Sequence, residues 1–116
     1  MERELMEMHD PVFRPGSTRI ADASIKVTPT EVDCSVVLFL SKDGGVTKAA
    51  SSGLQYFTST GEPQSVEFTI VMPEGGYAYK PFLDIFAVGD PVPIKGYQGV
   101  EDVLIPLVGS LEIIWR

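Results

Sequence analysis

Apolar and polar residues alternate with a period of two along most of the chain, which predicts β-strands. The clearest case is SVEFTIVM, residues 65–72, where Val66, Phe68 and Ile70 alternate with more polar positions. The segment ADASIKV, residues 21–27, shows the same pattern. Since successive side chains of a strand point to opposite faces, each segment predicts a strand with one buried face.

Four further segments have strand character. The run DCSVVLFLSK, residues 33–42, is apolar on both faces and predicts a central strand or one whose outer face is covered. We also expect strands over residues 53–59, from Tyr77 onward, and in SLEIIWR at the C-terminus. We predict that the inner faces form one core: Val36, Leu38, Leu40, Val66, Phe68, Ile70, Leu83, Ile85, Leu111 and Ile113.

The pair Gly75–Gly76 stands between two predicted strands, in the stretch MPEGGY. A phosphate-binding loop needs backbone donors backed by a helix N-terminus, whereas a strand follows here and the loop carries Glu74. The glycines are therefore interpreted as a strand connection.

The stretch VEFTIVMPEGGYAYKPFLDIFAVG, residues 66–89, resembles the region between the fifth and sixth strands of immunoglobulin-like modules of the fibronectin type III or CARDB adhesion class. The resemblance implies an all-β fold, an immunoglobulin-like antiparallel two-sheet sandwich with about seven strands. It covers residues 19–116 as a single domain, after an N-terminal arm and linker over residues 1–18. It also implies that Tyr77 or Tyr79 hydrogen-bonds back across the corner.

Pro81 interrupts the predicted sixth strand. Because proline has no amide hydrogen to donate to a ladder, we expect an edge position or a bulge there. A bulge would change the alternation, so that Phe82 or Phe86 turns inward.

Composition and charge limit the possible functions. The chain is 44% hydrophobic and 22% charged, as expected of one folded domain. Its net charge of −7 would repel phosphate backbones and anionic lipids, so neither nucleic acid nor membrane is an expected partner. One His, His9, and one Cys, Cys34, cannot supply a disulfide framework or a Cys/His zinc site.

No catalytic signature is present: a Ser-His-Asp arrangement would have to use His9, and Cys34 lies in an apolar strand where burial should raise its pKa. We therefore expect no enzymatic activity and no cofactor. No calcium-binding loop motif is present and no metal ligands are assigned, although a calcium site that uses Asp43, Asp84 or Asp90 stays open as an alternative. The head MERELMEMHD lacks the apolar run of a secretory signal, and no run is long enough to span a bilayer, which indicates a cytoplasmic or virion protein. The head itself is either a frayed terminus or an arm that docks on a neighbouring subunit.

Two functions remain open. The first is a structural or protein-interaction module, such as a virion or tail component, because Val37, Phe39 and Ile114 fall opposite the core positions and predict a self-association interface. The second is a ligand-binding accessory module, for example for carbohydrate, whose stacking platforms would come from the following rings: Tyr56, Tyr77, Tyr79, Tyr97 and Trp115.

The segment of residues 89–109 is rich in Gly and Pro and longer than most connections. It is either a binding loop that offers Lys95, Tyr97 and Gln98, or a covered loop with a short edge strand of its own.

Overall fold

A computed structural model of the chain describes residues 3–6 and 12–116, which form strands and no helix. The strands are β1 (Glu4–Met6), β2 (Thr18–Ile25), β3 (Asp33–Ser41), β4 (Ala50–Ser51), β5 (Gln55–Thr58), β6 (Gln64–Val71), β7 (Tyr77–Ala87), β8 (Lys95–Gly99) and β9 (Val103–Ile105). Among these residues, no helix exists that could cross a membrane.

The strands form two sheets. The larger sheet has seven strands in the order β1-β8-β7-β3-β4, with β5 also paired to β3 and β9 also paired to β7. The smaller sheet consists of β2 and β6. Every strand pair is antiparallel except β1 with β8, which is parallel. The prediction of an all-β fold with two sheets is confirmed.

The core lies between the two sheets. Eight of the ten predicted core side chains are buried there, and Phe68 is only 1% exposed. The predictions for Leu111 and Ile113 are wrong, because these side chains are 82% and 67% exposed. The reason is that residues 106–116 form no strand and contribute nothing to the core of their own chain.

Pro81 lies inside the larger sheet, so the predicted edge position is wrong. It sits between the stretch of β7 that pairs with β9 and the stretch that pairs with β8. A Cβ atom on Gly99 would lie 2.3 Å from Cγ of Pro81, so Gly99 is the residue that allows this close approach.

The irregularity at Pro81 is in the partner strands and leaves the alternation of β7 unchanged. Gln98 pairs with Phe82 and Val103 pairs with Tyr79. The two partner residues are five positions apart in sequence, whereas Tyr79 and Phe82 are three apart, so the extra residues lie in the connection between β8 and β9. Phe82 and Phe86 consequently remain on the outer face of the sheet, where Phe82 belongs to a separate cluster and Phe86 packs against it.

The connection between β6 and β7 is held in place by hydrogen bonds to other residues of the same chain. The Tyr79 hydroxyl donates a hydrogen bond to the carbonyl oxygen of Glu74, at 2.9 Å, which is the back-bond expected of Tyr77 or Tyr79. Gly76, with a φ of 95°, donates its amide to the carbonyl oxygen of Ile105. The glycine pair therefore serves a strand connection whose polar groups bond within the protein.

Candidate protein-interaction site

The outer face of the larger sheet carries a second apolar cluster. Val37 and Phe39 of β3 and Phe82 of β7 are 3%, 1% and 1% exposed. The rings of Phe39 and Phe82 stack with their centroids 5.2 Å apart. The alternation along β3 and β7 places these side chains on the face opposite the core that lies between the two sheets.

Two segments of the same chain cover this cluster. The Arg3 guanidinium lies 4.8 Å from the centroid of the Phe82 ring, and its Nη1 atom is 2.5 Å from Oδ1 of Asp84. From the connection between β3 and β4, Nζ of Lys48 lies 4.8 Å from the centroid of Phe39. Arginine suits this position because its planar guanidinium can stack on an aromatic ring and bind a carboxylate at the same time.

The predicted exposure of Val37 and Phe39 is therefore wrong. These side chains are buried by their own chain and offer no free surface for an interface. Ile114, the third candidate, is 77% exposed and remains available.

Lys95, Tyr97 and Gln98 lie in strand β8 and not in a loop, which corrects the binding-loop prediction. Lys95 donates a hydrogen bond to Oε1 of Glu4 at 3.2 Å. This bond, followed by the interaction with Tyr97, raises the pKa of Lys95. Strand β8 pairs with β1 on one side and with β7 on the other. The segment of residues 89–109 therefore contains short strands of its own, β8 and β9, which was the alternative prediction.

The five candidate aromatic residues lie on different parts of the molecule. Tyr79 is buried, Tyr56 is on β5, and Tyr97 faces the space between the sheets. Tyr77 contacts Tyr79, whereas Trp115, 89% exposed, is in the C-terminal residues. They form no common platform on which a sugar ring could stack.

A cleft opens between the two sheets on the side where β2 faces β1 and β8. Its volume is about 380 Å³, and its lining is mainly apolar: Met6, Ala23, Ile25, Leu38, Phe68 and Tyr97 contribute. A second cavity of about 260 Å³ continues it along β2 and shares Ala21 and Leu38 with it. We call the first cavity the β2 cleft.

The C-terminal segment, residues 106–116, leaves the body beyond β9 without secondary structure. All of its residues are exposed, and six carry large apolar side chains: Leu107, Val108, Leu111, Ile113, Ile114 and Trp115. The molecule measures 71 × 25 × 21 Å, whereas its longest strand, of 11 residues, accounts for about 36 Å. The segment therefore extends well away from the two sheets.

Sequence reasoning missed both the docking of β1 and the β2 cleft. The short strand ELM gives too little periodicity to be recognised. A signal for the cleft did exist, because the inner face of β2 carries the small side chains of Ala21 and Ala23 where a larger residue would fill the space.

Cys34 is the cysteine of the chain. Burial, and then the Asp33 carboxylate, raise the pKa of the Cys34 thiol, which is fully buried. Within residues 3–6 and 12–116, no three His, Cys, Asp or Glu side chains come together. His9 lies outside the described residues.

Comparison with protein-family models, curated proteins and solved structures gives no significant match.

Proposed function

We propose that this chain is a non-catalytic structural module that assembles with other copies of itself through its C-terminal segment. The observation that carries the proposal is the exposure of the six apolar side chains of that segment, which ranges from 67% to 89%. Exposed apolar surface of this extent usually marks an interaction site. The net charge of −7 favours a defined assembly over indefinite aggregation.

We further infer an immunoglobulin-like sandwich. Two features support this class: the β2–β6 sheet packs against β3 and β7, and Tyr79 bonds back to the corner at the start of β7. Sandwiches of this kind serve many functions, so the class supports an interaction role without specifying a partner.

The scattered aromatic rings favour the interaction module over a carbohydrate-binding accessory domain. Stacking on a sugar needs rings on one accessible face, and here Tyr56 and Trp115 belong to separate regions. The apolar side chains of the C-terminal segment, in contrast, are adjacent in sequence and exposed together.

Sedimentation equilibrium at micromolar concentration tests the proposal. The unmodified chain should show an average mass that rises above 12.6 kDa with concentration. A tail variant carrying Leu111→Ser, Ile113→Ser and Trp115→Ser should remain at the monomer mass with an unchanged melting temperature, because these side chains have no contacts in the core.

Val46→Ser is the matched control, since Val46 is 86% exposed but lies in a different part of the chain. This control should assemble like the unmodified chain. A tail variant that assembles as well as the unmodified chain, or an unmodified chain that stays monomeric, would contradict the proposed function.

A further inference from the structure

Strand β2 has a free edge. It pairs with β6 over all eight of its residues, and within the described part of the chain nothing pairs with its other edge. An unpaired edge presents a row of backbone donors and acceptors, which is a template for another strand. Extended segments commonly bind proteins by adding to such an edge.

The β2 cleft runs beside this edge. Ala21 and Ala23 point toward it but are only half-buried, and Ile25 closes one end. Native interiors contain few voids larger than a water molecule. An apolar cleft of about 380 Å³ between two sheets therefore has room for side chains that its own core does not provide.

We propose that residues 111–116 of a second copy bind along β2 as an added antiparallel strand; this inference rests on the proposed function and names the surface that receives the C-terminal segment. In a strand, Leu111, Ile113 and Trp115 share one face, and this face would enter the β2 cleft. The same alternation predicted Leu111 and Ile113 as core residues. On this proposal they are buried in the core of the second copy and not in the core of their own chain.

Charge complementarity selects the antiparallel direction. Glu112 and Arg116 are four residues apart, as are Asp22 and Lys26. In an antiparallel pairing that sets Glu112 opposite Lys26, Arg116 therefore lies opposite Asp22, and each pair joins opposite charges. All four side chains then lie on the outer face, where opposite charges across strands are favourable. The parallel alignment that sets Arg116 opposite Lys26 sets Glu112 opposite Asp22, so both contacts are repulsive.

Size complementarity agrees with the same register. Trp115, the largest side chain of the segment, falls opposite Ala23, which has one of the smallest side chains on β2. Ile113 falls opposite Ile25, which is buried at the end of the cleft.

The direction also explains why the strand comes from a second copy. Ile105 pairs with Tyr77 at the end of the sandwich where Gly75 meets Pro15, close to the start of β2. The chain's own segment, turning back from there, would run parallel to β2. To run antiparallel it would first have to reach Lys26, which follows the last residue of β2 and lies about 27 Å from the start of that strand. The six residues from Pro106 to Glu112 span only about 20 Å.

Complementation between two variants tests the proposal. The tail variant keeps an intact cleft but has lost the strand that fills one. A cleft variant, Ala23→Phe, keeps the C-terminal segment but fills the acceptor. Each variant alone should sediment as a monomer, and a mixture of the two should form a one-to-one complex, because one chain supplies the acceptor and the other supplies the strand.

Thr69→Phe is the matched control for the cleft variant. It adds the same ring to the exposed face of β6, next to β2, and should leave association unchanged. Melting temperatures of all variants establish that they are folded. If Ala23→Phe is unfolded, Ala21→Phe takes its place on the same face of β2.

A charge exchange tests the register. Lys26→Glu should weaken association about tenfold, or 1.4 kcal/mol, by opposing two carboxylates. Adding Glu112→Lys in the same chain should restore it. Arg14→Glu changes the net charge equally at an exposed residue outside β2 and should have a much smaller effect.

The outcomes separate this inference from the proposed function. If the cleft variant associates like the unmodified chain while the tail variant does not, the C-terminal segment mediates assembly through another surface and the inference is wrong. If the amides of residues 111–116 are protected from hydrogen exchange in a monomer at every concentration, the segment occupies its own cleft and a second copy is excluded.

Discussion

Tyr79 shows how one side chain can secure a strand connection. Its ring is 1% exposed, and its hydroxyl reaches the carbonyl oxygen of Glu74. Burial is the main reason that the pKa of Tyr79 is raised, with smaller contributions from Glu74 and Tyr77. Since a buried polar group is costly unless it is bonded, the hydroxyl and the carbonyl satisfy one another.

Tyr79→Phe should lower the free energy of unfolding by about 1 kcal/mol, because it removes this bond and keeps the packed ring. Tyr56→Phe is the control: its ring is 67% exposed and the change should stay within about 0.5 kcal/mol. Urea denaturation measures both. Equal values for the two variants would mean that the corner bond contributes nothing to stability.

At the scale of elements, the connection between β3 and β4 has a structural role beyond reversing the chain. It brings Lys48 over the ring of Phe39 and places Gly45 against Phe82. The connection is held by Asp43, whose Oδ1 atom accepts hydrogen bonds from the Ser41 hydroxyl at 2.6 Å and from the Thr47 amide at 2.8 Å. Together with Arg3, this connection turns a face with interface-like sequence into a second core.

The bonds to Asp43 predict a particular pH dependence. Hydrogen bonding, first from the Ser41 hydroxyl and then from Thr47, lowers the pKa of Asp43 from 3.8 to about 2. A lowered pKa in the folded state stabilises the protein above the unfolded pKa, and this contribution is lost as the pH falls toward 2. A carboxyl titration followed by NMR should give about 2 for Asp43, rising in Ser41→Ala. A value near 3.8 in the unmodified protein would show that these bonds do not persist in solution.

At the scale of the whole molecule, the extended C-terminal segment dominates the shape. The Cα radius of gyration is 16.9 Å, against about 13 Å for a compact chain of this length. The core clusters between the two sheets contain no side chain of the segment, whose first apolar residue, Leu107, lies against Gly75 and Gly76.

Small-angle scattering from the tail variant should therefore give a radius of gyration of about 17 Å for the monomer. The three serine substitutions remove the side chains proposed for assembly and leave the chain length unchanged. A radius of about 13 Å would mean that the segment folds back onto its own body.

The sequence by itself determined the longest strands, β2, β3, β6 and β7, and most of the core. The alternation in β3, β6 and β7 was sufficient because a period of two assigns every second side chain to the interior. The hydrogen bond at the corner was implied, at Tyr77 or Tyr79, only by the resemblance to immunoglobulin-like modules. The strands and the core depend on local pattern, which a single sequence carries.

Only the tertiary structure decided what covers each apolar face. Val37 and Phe39 have the pattern of an interface, and their burial depends on Arg3, which is far away in sequence. Conversely, Leu111 and Ile113 have the pattern of a core, but residues 106–116 form no strand and belong to neither sheet. Periodicity shows that a face must be buried, whereas the partner that buries it is set by long-range packing, which no local pattern contains.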